Sequence, residues 1–93
     1  MKVLFQGQTA NGQSSEERIS QRDTYYRLSA SGTIGGGSVA LEVKDPFDAW
    51  IPVATLSAVG GETVRLRSGD IVRATLAGST GANINVALKP LGS

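Results

Sequence analysis

The sequence predicts an all-β fold: a single small β-sandwich of about seven strands, Ig-like or jelly-roll in style, with an extended N-terminal arm. Three observations carry that expectation. Short segments alternate apolar and polar residues, the period-two signature of half-buried strands. Breaks containing glycine or proline separate these segments at short intervals, as turns do in a sandwich. The composition is rich in small residues, with 12 Gly against one Trp, two Tyr and two Phe, which suits a thin core and tight turns.

At the N-terminus, Val3-Leu4-Phe5 forms an apolar segment followed by Gly7, and it reads as an edge strand or a docking arm. Thr9 to Glu17 is polar and contains Asn11-Gly12, a composition that buries little apolar surface and reads as a linker. A short helix capped by Ser14, with Glu17 at capping-box spacing, is the alternative, but no amphipathic run follows it. The first clear strand is Tyr25 to Ser31, with Tyr26, Leu28 and Ala30 on one face and Tyr25, Arg27 and Ser29 on the other. Gly35-Gly36-Gly37 reads as a hairpin connection to Ser38–Lys44, in which Val39, Leu41 and Val43 face the core, so that Tyr25 to Lys44 forms one hairpin.

Asp45-Pro46-Phe47-Asp48 breaks that strand, because proline cannot donate to a ladder and aspartate supports a local turn. Trp50 to Leu56 resumes, with Pro52 arguing for an edge position and Trp50 expected to plug the core. Glu62 to Arg67 alternates cleanly, and Ser68-Gly69 gives a tight connection to Asp70 to Ala77, with Val72, Ala74 and Leu76 inward and Arg73 and Thr75 outward. Asn83 to Lys89 closes the chain with Ile84, Val86 and Leu88 on its inner face. These elements divide the chain into an N-terminal arm or linker, residues 1–23, and a β-sandwich domain, residues 24–93.

A chain of 93 residues supports one core and buries about 60–65 per cent of its unfolded surface, so oligomerisation or docking is the natural supplement to its stability. With no cysteine and no histidine it has no disulfide framework, no thiol or imidazole nucleophile and no side chain that ordinarily titrates near neutral pH. Nine basic against eight acidic residues give a formal charge of +1, which provides little long-range attraction to nucleic acid. Apolar runs such as Val3 to Phe5 fall far short of the roughly 20 residues of a membrane helix, and no secretory h-region follows Lys2. The expectation is a protein made in the cytosol, with neither membrane nor nucleic acid as partner.

Catalysis needs a poised base or nucleophile, and here the candidates are carboxylates, lysines, tyrosines and hydroxyls with no constellation among them. Asp45 and Asp48, three apart in one loop, are the pair that could ligate calcium; ordinary turn chemistry is the competing account. Gly35-Gly36-Gly37 lacks the Gly-Lys-Ser/Thr and the helix start of a phosphate loop. No catalytic residue, metal ligand or cofactor site is assigned. Arg65 and Arg67 project from one face of a strand and could meet acidic side chains, joined by Arg73 if the next strand lies beside them.

The stretch from Tyr26 to Pro90 resembles a class of small virion β-domains of tailed bacteriophages. The residues that carry the likeness are Leu28-Ser29-Ala30-Ser31-Gly32-Thr33, Gly37 to Val43, Trp50-Ile51-Pro52-Val53, Glu62 to Leu66, Gly69 to Leu76 and Gly81 to Leu88. The resemblance implies a non-enzymatic head decoration or cement protein on the capsid surface, assembled in the host cytoplasm. Its partner would be the major capsid protein, and it would form a homo-oligomer, by family habit a trimer. A neck, tail or fibre component is the alternative, as is a carbohydrate-binding sandwich using Trp50, Tyr25 or Tyr26 as a platform. The likeness stops short of residues 1–23, where a docking sequence is expected. Capsid contact is accordingly expected from Val3, Leu4 and Phe5, with Arg65 and Arg67 as secondary contacts. On this reading, deleting residues 1–12 spares the fold and abolishes docking.

Overall fold

The computed structural model describes residues 2–19 and 24–91, all β or connection, with no helix among them. Nine strands are formed by the described residues: β1 (Lys2–Gln8), β2 (Gly12–Gln13), β3 (Glu17–Arg18), β4 (Thr24–Thr33), β5 (Ser38–Lys44), β6 (Trp50–Leu56), β7 (Gly60–Leu66), β8 (Ile71–Ala77) and β9 (Asn83–Pro90). They make two packed antiparallel sheets, a small β-sandwich. The first has the order β1-β9-β4-β7, and the second the order β2-β8-β5-β6 with β3 also on β8.

The pairing is nested. First strand pairs with last (β1 with β9), the interrupted second strand (β2 and β3) with β8, β4 with β7 and β5 with β6. Rolling that long double ribbon brings β4 beside β9 and β5 beside β8. This is the jelly-roll arrangement, one of the two styles the sequence left open.

The core lies between the sheets and follows the period-two pattern. Tyr26, Leu28 and Ala30 of β4, Ile84, Val86 and Leu88 of β9, Val39 and Leu41 of β5, and Val72, Ala74 and Leu76 of β8 are all buried, as their alternation predicts. Burial also raises the pKa of the Tyr26 hydroxyl above the ordinary tyrosine value.

In residues 2–19 the edge-strand reading of Val3-Leu4-Phe5 holds, while the readings as a docking arm and a linker do not. β1 is the edge strand of the first sheet, and Leu4 and Phe5 are 6% and 4% exposed, both in the core. A register shift between Val3 and Phe5 lets neighbours in sequence both turn inward. The polar stretch read as a linker supplies β2 and β3, and Ile19 beyond them is fully buried. Ser14 bridges the two strands: its N–H donates to the Ala74 carbonyl (2.8 Å) and its hydroxyl oxygen accepts from the Ala74 N–H (2.9 Å), in place of the helix cap considered above. The boundary drawn at residue 23 lies outside the described residues, but residues 2–19 form no separate arm, since they are hydrogen-bonded into both sheets.

Two further corrections concern connections. β4 and β5 are not a hairpin, because they belong to opposite sheets and the triglycine segment crosses between them. A Cβ on Gly35 would stand 2.5 Å from the Thr80 carbonyl oxygen, and one on Gly37 would overlap the Ala77 carbonyl oxygen and Ser79. These glycines admit a close backbone approach; they are not a loose hinge. β7 and β8 are likewise split between sheets, so the Ser68-Gly69 turn crosses the sandwich instead of closing a hairpin.

Candidate functional site

Among the described residues, the outward face of the first sheet gathers basic side chains. Alternation turns Tyr25, Arg27 and Ser29 of β4, Arg65 of β7, and Lys89 and Ala87 of β9 away from the core. Register sets them side by side: Tyr25 faces Arg65, Arg27 faces Lys89, and Ser29 faces Ala87. The Arg65 guanidinium carbon lies 5.9 Å from the centroid of the Tyr25 ring, within cation–π range. No described Asp or Glu of these strands points to this face.

Of the contacts expected from sequence, the structure places Arg65 here and Arg67 just beyond the end of β7, where its N–H donates to Asp70 Oδ2 (2.9 Å). Val3 is 48% exposed at the opposite edge of the same sheet. Leu4 and Phe5 are enclosed by the protein's own core, each less than a tenth exposed. Arg73 does not join Arg65, because β8 lies in the other sheet. Sequence reasoning missed Arg27 and Lys89; the signal available was their shared parity with Tyr25 and Ala87, but only the β4–β9 register makes them neighbours.

The second sheet's outward face is organised differently. Trp50 is half-buried there, not in the core, because it pairs with the outward Lys44. The Arg73 guanidinium carbon sits 4.2 Å from its ring centroid and Lys44 Nζ 5.9 Å from it. Arg73 Nε donates to Glu42 Oε1 (2.8 Å), and the Thr75 hydroxyl donates to the same oxygen (2.6 Å). Burial by itself would raise the Glu42 pKa, but the bonds from Thr75 and Arg73 and the Arg73 charge outweigh it and hold the carboxyl below its ordinary value. Of the three rings considered for a sugar platform, Tyr26 is buried and Arg73 lies over Trp50, while Tyr25 is exposed beside Arg65.

The Asp45 and Asp48 loop is a turn in detail. Asp45 Oδ1 accepts from the N–H groups of Phe47 and Ala49 (both 2.8 Å), and the Asp48 N–H donates to the Asp45 carbonyl (3.1 Å). Asp48 takes φ 64°, a left-handed conformation that aspartate tolerates, and lies 3.7 Å from Lys44 Nζ. Among the described residues no group of three or more His, Cys, Asp or Glu is placed to hold a metal ion, and no helix is long and apolar enough to cross a membrane. Compared with protein-family models, curated proteins and solved structures, the chain finds no match.

Proposed function

We propose that this chain is a non-enzymatic structural protein that docks on an acidic protein surface, in the first place as a cement or decoration protein on the capsid of a tailed-phage virion. The observation that carries the docking part is the basic outward face of the first sheet, where register sets Arg27 beside Lys89 and Arg65 beside Tyr25. Such a face selects acidic partners and speeds encounter with them. The capsid rests on the resemblance of residues 26–90, and on the analogy that jelly rolls are common among viral coat domains. In this reading Arg65, Arg67 and Tyr25, at the β7 edge, make the contact with the major capsid protein.

Cosedimentation with capsids lacking the protein tests it. Saturable binding at a fixed ratio to the major capsid protein is expected, weakened by added salt and by Arg65→Glu. Absence of binding to heads would remove the cement assignment and move the reading to the neck, tail or fibre.

A further inference from the structure

Phe47 is 89% exposed, more than any other large hydrophobic side chain among the described residues. Its backbone is fixed: Asp45 Oδ1 holds the Phe47 and Ala49 N–H groups, Pro46 restricts the preceding φ, and Asp45 N–H donates to the Ala49 carbonyl (2.8 Å). A ring displayed on an ordered tip is preorganised for contact, because little conformational freedom remains to be lost when it is covered. The tip also carries the Asp45 and Asp48 carboxylates, with Asp70 in the same hollow; Lys44 lies there too, 3.7 Å from Asp48, whose side chain stays exposed, and one lysine against three carboxylates leaves the tip acidic.

The same chain holds a receptor of matching character. Ser29 and Ala87 are small cross-strand neighbours on the outward face of the first sheet, with Val3 beside Ala87, and Ser31 faces Asn85 in the next row. With Gln6 they line a shallow groove of about 330 Å³. An apolar cavity of about 150 Å³ takes up benzene, so a phenyl ring fits the space. One step along the same face, about 7 Å away, stand the paired Arg27 and Lys89. The groove thus offers small and apolar side chains, Val3, Ala87 and Ser29, among the polar Gln6, Ser31 and Asn85, and a cationic rim, to a tip that offers an aromatic ring and carboxylates.

The knob closes the β5–β6 hairpin of the second sheet, while the groove is on the outward face of the first, so one chain cannot fill its own groove. We infer that Phe47 of one copy seats in the Val3, Ser29 and Ala87 groove of a second copy, with Asp48 directed to Arg27 and Lys89. This is a head-to-tail contact, which closes into a ring or continues as a filament according to its rotation. The groove is centred on β9, two strands or about 10 Å from Arg65 on the β7 edge, and its rim residues Arg27 and Lys89 belong to the face proposed for the capsid, so the two contacts share that pair and leave Arg65 and Arg67 outside the groove.

Complementation between two variants of the full chain tests this. In sedimentation velocity, wild type is expected to assemble with rising concentration, and Phe47→Ser to weaken association about 10- to 100-fold, the loss expected for one buried aromatic side chain. Ala87→Tyr, which fills the groove, should do the same. Mixed together, the two variants are expected to form a one-to-one dimer and nothing larger, since one retains a knob and the other a groove. Thermal unfolding of each variant establishes that it is folded, and if Ala87→Tyr is not, Lys89→Glu takes its place. A wild type that stays monomeric at all concentrations overturns the inference. So does a Phe47→Ser chain that assembles like wild type, or a mixture that does not combine. Capsid binding is scored separately, so failure of the cement reading leaves this result standing and the reverse also holds.

Discussion

The guanidinium carbon of Arg73 lies 4.2 Å from the centroid of the Trp50 ring, while its Nε donates to Glu42. Arg73 therefore ties β8 to β5 through an ion pair and to β6 through the ring, linking three adjacent strands on one face. The Arg73 and Glu42 side chains are 22% and 17% exposed, so the pair is only partly screened by solvent. Arg73→Ala leaves the Glu42 carboxylate without its charged donor and is expected to cost about 1–3 kcal/mol. Arg73→Lys should recover only part of that, since an ammonium lacks the planar fork that both stacks and donates. Urea unfolding followed by Trp50 fluorescence measures both, and an unchanged midpoint for Arg73→Ala would show that the triad contributes nothing.

The depressed Glu42 carboxyl makes stability pH-dependent. Its folded-state pKa lies below the ordinary 4.5, so the unfolded chain takes up the proton first on acidification. The contribution is therefore full above 4.5 and is lost as pH falls through the folded value. Comparing wild type with Glu42→Gln by thermal unfolding between neutral and strongly acidic pH should give curves that converge as pH falls. A constant gap across the range would assign the acid sensitivity to other carboxylates.

Adjacent glycines in one loop separate crowding from backbone strain. Gly35 and Gly36 have φ 72° and 79°, but a Cβ at Gly36 meets nothing within 4 Å, whereas at Gly35 it meets the Thr80 carbonyl oxygen. Gly36→Ala should cost roughly 1–2 kcal/mol, the penalty for a left-handed L-residue. Gly35→Ala should cost distinctly more, because the β8–β9 connection must also move. Equal losses in chemical denaturation would mean that the loop relaxes freely.

Phe5 decides the status of the N-terminus. Because it is buried opposite Val86, Phe5→Ala is expected to cost about 3–5 kcal/mol, and deleting residues 1–12 to unfold the domain. A deletion variant with native circular dichroism and cooperative melting would return these residues to the role of a dispensable arm.

The alternation along β4, β5, β8 and β9 fixed which side chains face inward, because a strand's period of two is local and independent of what it pairs with. It also located the Asp45-Pro46 turn, and the β5 and β6 boundaries match the expected segments. Trp50 could have been placed outside the core from sequence by registering β6 against β5, since its partner Lys44 alternates outward. Ile19 could not: a single apolar residue in a polar stretch shows no periodicity, and its burial follows from Gly69 and Asp70, whose backbones bond it from 50 residues away. The candidate site divides in the same way. Arg65 and Arg67 stood out as a same-face pair, but Arg27, Lys89 and the groove beside them exist only through pairing of β4 with β9 and of β9 with β1. Local alternation was enough for the longer strands from β4 onward and their apolar faces, which depend on neighbours two residues apart, but not for the two-residue strands β2 and β3. Tertiary structure alone decided that β1 closes on β9 and that the β4–β5, β6–β7, β7–β8 and β8–β9 connections cross between the sheets, because a buried face is satisfied equally by any partner face and only the packing of the whole chain selects one.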